Sequence, residues 1–234
     1  MGQALLGLGV LPYEMRVLGP LALGLPPLVL AGFGSVLGLM LYLHAPRDAL
    51  AQMTTVALEA GLPLAAGVAA TAVTLQEPAI ELHLTLPTPY RLTLLRRLAL
   101  LLGWTALIEV AVTLALAASA PWALLKPGPV GVLMWLAPSL WLAAVGALLA
   151  LLLRSWSAGG ALLGGLWVTQ PVLHGYFAAT GWLRPWFLFA TSYDATAPFW
   201  LTNRVEVIIT ALAVIVGLWA YLRAVEWRFT GEEG

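Results

Sequence analysis

Six runs of almost unbroken apolar residues divide the chain: Leu21–Leu43, Met53–Leu75, Leu98–Ala118, Val130–Leu153, Ala158–Thr180 and Val205–Leu222. Each is near the ~20 residues that a helix needs to cross the hydrocarbon of a bilayer. None carries the polar stripe of a helix lying on a soluble core, so the pattern predicts six transmembrane helices. Pro26 and Pro27 fall near the start of the first run, where proline is tolerable, whereas Pro63, Pro138 and Pro171 lie inside other runs and predict kinks. Gly34/Gly38 and Gly160/Gly164 are small-residue pairs at helical spacing and predict close helix contacts. Only Arg154-Ser155-Trp156-Ser157 separates the fourth and fifth runs, which makes that division the least secure.

The intervals between the runs differ in character. In Met1–Gly19, Leu5, Leu8, Leu11 and Met15 fall at roughly helical spacing, and Glu14 and Arg16 follow Pro12. This predicts an interfacial helix leading into the first span, with a frayed terminus as the alternative. The segment lacks the basic start and small-residue cleavage site of a signal peptide, and Leu6 stands where a myristoylation motif needs Ser or Thr. Gly181–Arg204 is aromatic and barely charged, with Trp182, Trp186, Phe187, Phe189, Tyr193, Phe199 and Trp200. It predicts short re-entrant or interfacial helices with rings at headgroup depth; an aromatic belt that only anchors is the alternative.

The interval Glu77–Leu98 (EPAIELHLTLPTPYRLTLLRRL) is the most polar. Pro87 and Pro89 break a helix arriving from the N-terminal side. Thr88 can then serve as an N-cap with Pro89 in the first helical position. Beyond it Leu92, Leu95 and Leu98 are helically spaced beside Arg91, Arg96 and Arg97, which predicts a short amphipathic helix at the membrane surface that turns into the third span.

Composition agrees with a bilayer: hydrophobic residues make up 61% and charged residues 9%, against roughly a quarter charged in soluble domains. A single transmembrane domain over residues 1–234 accounts for the length. With no cysteine, neither a disulfide framework nor a thiolate metal site can form. Net charge is zero and no basic tract is present, which argues against nucleic-acid binding. With both termini inside, Arg16, Arg91, Arg96, Arg97, Arg154, Arg223 and Arg228 are cytoplasmic, while Arg47, Lys126, Arg184 and Arg204 are external. Seven against four favours that orientation, in a plasma (inner) membrane.

Candidate chemistry is sparse. The single lysine, Lys126, precedes Pro127, and no GxxxxGK[ST] occurs, so the chain holds no P-loop of its own. HExxH and GxSxG are absent too, leaving no anchor for a metal or nucleophile reading. The polar residues inside the apolar runs are the remaining candidates for a translocation path or proton-sensitive site: Glu59, Glu109, Gln170 and His174. The competing reading for each is a neutral, hydrogen-bonded packing residue, or for Glu59 an interfacial one. Glu109 is deepest and should be protonated or have a partner such as His174 or a polar group from a second subunit. Glu206 beside Arg204 reads as a local ion pair or a solvated end.

Glu77, Glu81, Leu82, Leu84, Leu86, Pro87, Arg91, Arg96 and Arg97 resemble the segment after the second span in permease subunits of type-2 ATP-binding-cassette exporters. Glu77-Pro78-Ala79-Ile80-Glu81 departs from the Gly that family often carries between the acids, and Thr88-Pro89-Tyr90 from its Ser- and Arg-rich turn. The resemblance implies an all-α integral membrane subunit with six spans. It further implies a cytoplasmic coupling helix between spans two and three and a small external re-entrant element between spans five and six. Glu77, Glu81, Pro87, Thr88, Arg91, Arg96 and Arg97 would then couple to cytoplasmic ATPase subunits. Those partners carry the ATP and Mg; this chain has no cofactor and is not itself an enzyme. A second transmembrane subunit, identical or homologous, is also implied, as is export of a lipid-like, hydrophobic or amphipathic substrate. Two other classes stay open: a gradient-driven transporter using Glu109 or His174, and a structural subunit of a membrane complex.

Overall fold

The computed structural model describes residues 18–75, 90–119, 129–194 and 196–230, which are helical throughout apart from short turns. The helices are α1 (Gly19–Tyr42), α2 (Arg47–Leu75), α3 (Tyr90–Ser119), α4 (Leu133–Leu153), α5 (Trp156–Val172), α6 (His174–Ala179), α7 (Ala190–Asp194) and α8 (Trp200–Thr230). A 3-10 turn, Pro129–Val132, leads into α4, and another, Arg184–Trp186, precedes α7. Among the described residues five helices are long and apolar enough to cross a bilayer: α1, α2, α3, α4 with its entry turn, and α8. This is the architecture of an all-α membrane protein.

The fifth apolar run does not form one continuous helix over Ala158–Thr180. It divides at Leu173 into α5, of 17 residues, and the short α6. Pro171 has no N–H to give to Trp167 O. Its own carbonyl is approached by side chains, His174 Nδ1 at 3.1 Å and the Tyr193 hydroxyl at 3.1 Å. The turn between α4 and α5 is tight, as Arg154 takes left-handed angles (φ 50°, ψ 31°) and Ser155 caps α5 by accepting from Ala158 N at 3.2 Å.

Residues Tyr90–Leu98 also differ from expectation. They are the opening turns of α3, one 30-residue helix, and not a separate surface helix. The buried face runs through Tyr90, Thr93, Leu94, Arg97, Leu98 and Leu101, a spacing of three and four, while Leu92 is exposed. Tyr90 also ties α3 to the end of α2, its hydroxyl donating to Thr74 O at 2.8 Å. That carbonyl lies in the last turn of α2, where main-chain acceptors lack helical donors.

α2 and α4 form the centre of the bundle, with 78% and 61% of their span windows buried, against 6% for α1 and 22% each for α3 and α8. Their backbones meet at Gly67 and Gly146: a Cβ at Gly146 would lie 2.5 Å from Gly67 O. The close approach is therefore here and not at Gly34, Gly38 or Gly164, where an added Cβ meets nothing within 4 Å; Gly160 makes only ordinary contacts with Thr71 and Val68. Tryptophans from neighbouring helices complete the hydrogen bonding around prolines. Pro27 cannot donate to Leu23 O, and Trp104 Nε1 does so instead at 3.1 Å. In α2, residues Ala57–Gly61 form a π turn just before Pro63, and Trp167 Nε1 donates to Ala60 O at 3.1 Å. A cleft of about 270 Å³, lined by Leu21, Ala72, Leu75 and Trp156, marks where α1, α2 and α5 converge.

Candidate functional site

Polar side chains inside the bundle gather around the stretch from Arg184 to Asp194. Phe187, Leu188, Phe189 and Ala190 in that stretch are buried. A non-helical backbone in an apolar interior needs partners for its N–H and C=O groups. Three helices supply them. From α5, Gln170 Oε1 accepts from Leu188 N at 2.8 Å. From α8, Asn203 Nδ2 donates to Arg184 O and, at 3.0 Å, to Phe187 O, and Arg204 Nη1 donates to Leu188 O at 2.9 Å.

The third helix is α2, and its contribution is Glu59. The π turn Ala57–Gly61 is buried along its whole length and holds Glu59 with no exposed surface. Glu59 Oε1 accepts from Thr191 N at 2.6 Å and from Arg204 Nη2; Oε2 accepts from Ser192 N at 2.6 Å and from the Ser192 hydroxyl. The carboxylate thus caps two N–H groups in the first turn of α7 and pairs with a guanidinium that is itself fully buried. Thr191 Oγ1 links further, accepting from Arg204 Nη2 at 3.2 Å and from Trp200 Nε1 at 2.9 Å. Arg204 also lies over the Trp200 ring, 5.7 Å from its centroid.

This arrangement bears on two expectations. Glu59 is enclosed by protein and hydrogen-bonded, with Arg204 as its ion-pair partner. Arg204 pairs across the bundle with Glu59 and is not a local partner of half-buried Glu206 or a loop cation. The reason is packing: only the folded bundle brings the first turn of α8 against the middle of α2. Arg204, Thr191, Ser192 and Asn203 were all missed by sequence reasoning. One signal was available, two opposite charges near the same end of two apolar runs, since an unmatched charge at that depth is costly.

Glu109 lies apart from this network. It is buried on α3, and its Oε1 accepts from the Ser139 hydroxyl of α4 at 2.8 Å. His174, one of the partners considered for Glu109, is not bonded to it. His174 is exposed at the start of α6 and stacks on Tyr193, with centroids 4.2 Å apart and planes 10° apart. Glu59 and Gln170 therefore share one site, His174 lies at its edge through Tyr193, and Glu109 has a site of its own.

Of the expected coupling residues, Glu77, Glu81, Pro87 and Thr88 lie outside the described residues. Arg96 is exposed, Arg91 lies over the Trp219 ring at 4.8 Å, and Arg97 is buried. The three arginines thus do not share one exposed surface. Among the described residues no group of three or more His, Cys, Asp or Glu is placed to hold a metal ion. Comparison with protein-family models, with curated proteins and with solved structures finds no match.

Proposed function

We propose that this chain is the transmembrane permease subunit of an ATP-driven exporter, working with cytoplasmic ATPase subunits and a second transmembrane subunit. The observation that carries the reading is the continuity of α3. Its first turns hold Arg91, Arg96 and Arg97, the described part of the segment that resembles a coupling helix, and they run without a break into the span that holds Glu109. A push delivered near Tyr90 by a soluble partner would reach the bundle through a rigid rod of about 45 Å, at 1.5 Å per residue. The Arg184–Asp194 stretch adds support, because the resemblance implies a small external re-entrant element between spans five and six. In this reading α5 and α6 together cross as a sixth span beside the five long helices, and both termini are cytoplasmic. The seven-against-four count of basic residues supports that orientation.

The test is purification of the tagged chain from its native membrane in mild detergent. An ATP-binding subunit should co-purify, and its hydrolysis should respond to reconstitution with this chain in liposomes. Glu81→Arg should weaken that association while leaving membrane insertion intact. A chain that purifies without an ATPase, or a Glu81→Arg protein with an unchanged complex and unchanged coupled hydrolysis, would refute the reading.

A further inference from the structure

α3 and α4 meet along a seam at Glu109 and Ser139, and each helix carries a buried polar atom with no hydrogen-bond partner among the described residues, Glu109 Oε2 and Trp135 Nε1. Glu109 has no exposed surface and Trp135 has 2%. Ser139, whose hydroxyl donates to the other oxygen of Glu109, follows Trp135 by four positions on α4. Residues four apart are separated by about 40° around a helix and one turn along it. Trp135 therefore stands one turn from Ser139 on nearly the same face of α4.

Pro138, between them, has no N–H to give to Met134 O, so a main-chain acceptor turns to the same stretch of α4. An indole N–H, a hydroxyl and a main-chain carbonyl thus fall between Met134 and Ser139 of α4, and the hydroxyl holds the Glu109 carboxyl. Their surroundings are apolar: Trp135 belongs to the core cluster against which Ile108 and Val112 pack. Leaving a buried donor or acceptor unmade costs about 1–3 kcal/mol. Ordered internal waters occur where two to four such groups converge.

We propose that this seam is a binding site for one water molecule, which accepts from Trp135 Nε1 and hydrogen-bonds Glu109 Oε2. Its other hydrogen is available to Met134 O. The site lets α4 pass through Pro138 with its polar groups satisfied, and it puts an exchangeable water against a fully buried carboxyl. The inference is independent of the transport reading.

Trp141 supplies an internal comparison. Its Nε1 is also buried and without a partner among the described residues, but Trp141 lies about 160° around α4 from Ser139, and its ring meets Trp186 edge-on at 6.0 Å. The full chain, labelled with ¹⁵N at the tryptophan indoles and placed in lipid nanodiscs, allows Trp135 and Trp141 to be assigned with Trp135→Phe and Trp141→Phe. The Trp135 indole proton should show magnetisation transfer from water and exchange with deuterium at least tenfold faster than that of Trp141. Glu109→Gln should keep the transfer, and Glu109→Leu should lose it. No transfer to Trp135 in the wild-type chain, equal exchange at the two indoles, or transfer that persists in a folded Glu109→Leu protein would overturn the proposal. The wild-type measurements decide even if Glu109→Leu does not fold.

Discussion

Neutralising Glu59 should loosen the Arg184–Asp194 stretch more than any other single change in the polar network. The carboxylate accepts four hydrogens: two main-chain N–H groups, a hydroxyl and a guanidinium N–H. Glu59→Gln keeps the shape but replaces one accepting oxygen with an NH2 group, which must face two of those donors whichever way the amide is turned. It also leaves Arg204 buried without a counter-charge. Breaking a buried pair on one side costs about 3–5 kcal/mol. Arg204→Met should fall near the lower end, about 3 kcal/mol, because three donors still surround the carboxylate. In Glu59→Gln/Arg204→Met no buried charge is left alone, so the double change should cost less than the sum of the singles by about 2–3 kcal/mol. The assay is the unfolding free energy in bicelles, measured as a double-mutant cycle. A structural readout accompanies it. The native chain has no cysteine, so Leu188→Cys reports whether the buried stretch opens to an impermeant thiol reagent. The cysteine should be protected in the parent and reactive in Glu59→Gln. Single changes within about 1 kcal/mol of the parent, or an additive double, would refute the claim that this pair anchors the stretch.

Gly146→Val should disrupt the bundle, costing about 1–3 kcal/mol or more, because the new Cβ would meet Gly67 main chain at 2.5 Å; Gly34→Val, with open space around it, should fall within about 0.5 kcal/mol of the parent in the same unfolding assay. Trp104→Phe removes the donor to Leu23 O and should cost about 1–2 kcal/mol; adding Pro27→Ala restores a helical N–H for that carbonyl and should recover most of the loss, and no recovery would disprove the assignment. On the exporter reading, Glu109→Gln keeps an acceptor for Ser139 and should leave transport in proteoliposomes, at any pH, nearly intact, whereas Glu109→Leu strands that hydroxyl and should cost about 1–3 kcal/mol. Loss of pH-dependent transport in a well-assembled Glu109→Gln protein would favour a gradient-driven transporter instead.

A membrane setting, the class of secondary structure and the approximate position of most helices were all legible in the sequence. Those properties depend on local quantities: length of apolar run, absence of a polar stripe, and proline placement. The same local reasoning marked Glu59, Glu109, Gln170 and His174 as unusual, because a polar group at such depth is costly wherever its partner lies. What each one does depended on distance in space. The pairing of Glu59 with Arg204 joins residues 145 positions apart, and the pairing of Glu109 with Ser139 requires α3 and α4 to meet in one register. The glycines show the same division. Spacing nominated Gly34/Gly38 and Gly160/Gly164, yet the close contact fell to Gly67 and Gly146, one from each of the two central helices. A small residue permits close approach, but only the packing of the other helices decides which pair of backbones is brought together. The break at Leu173 likewise needed more than Pro171: the His174 and Tyr193 side chains that take the place of a helical donor come together only once α6 and α7 have folded against the end of α5.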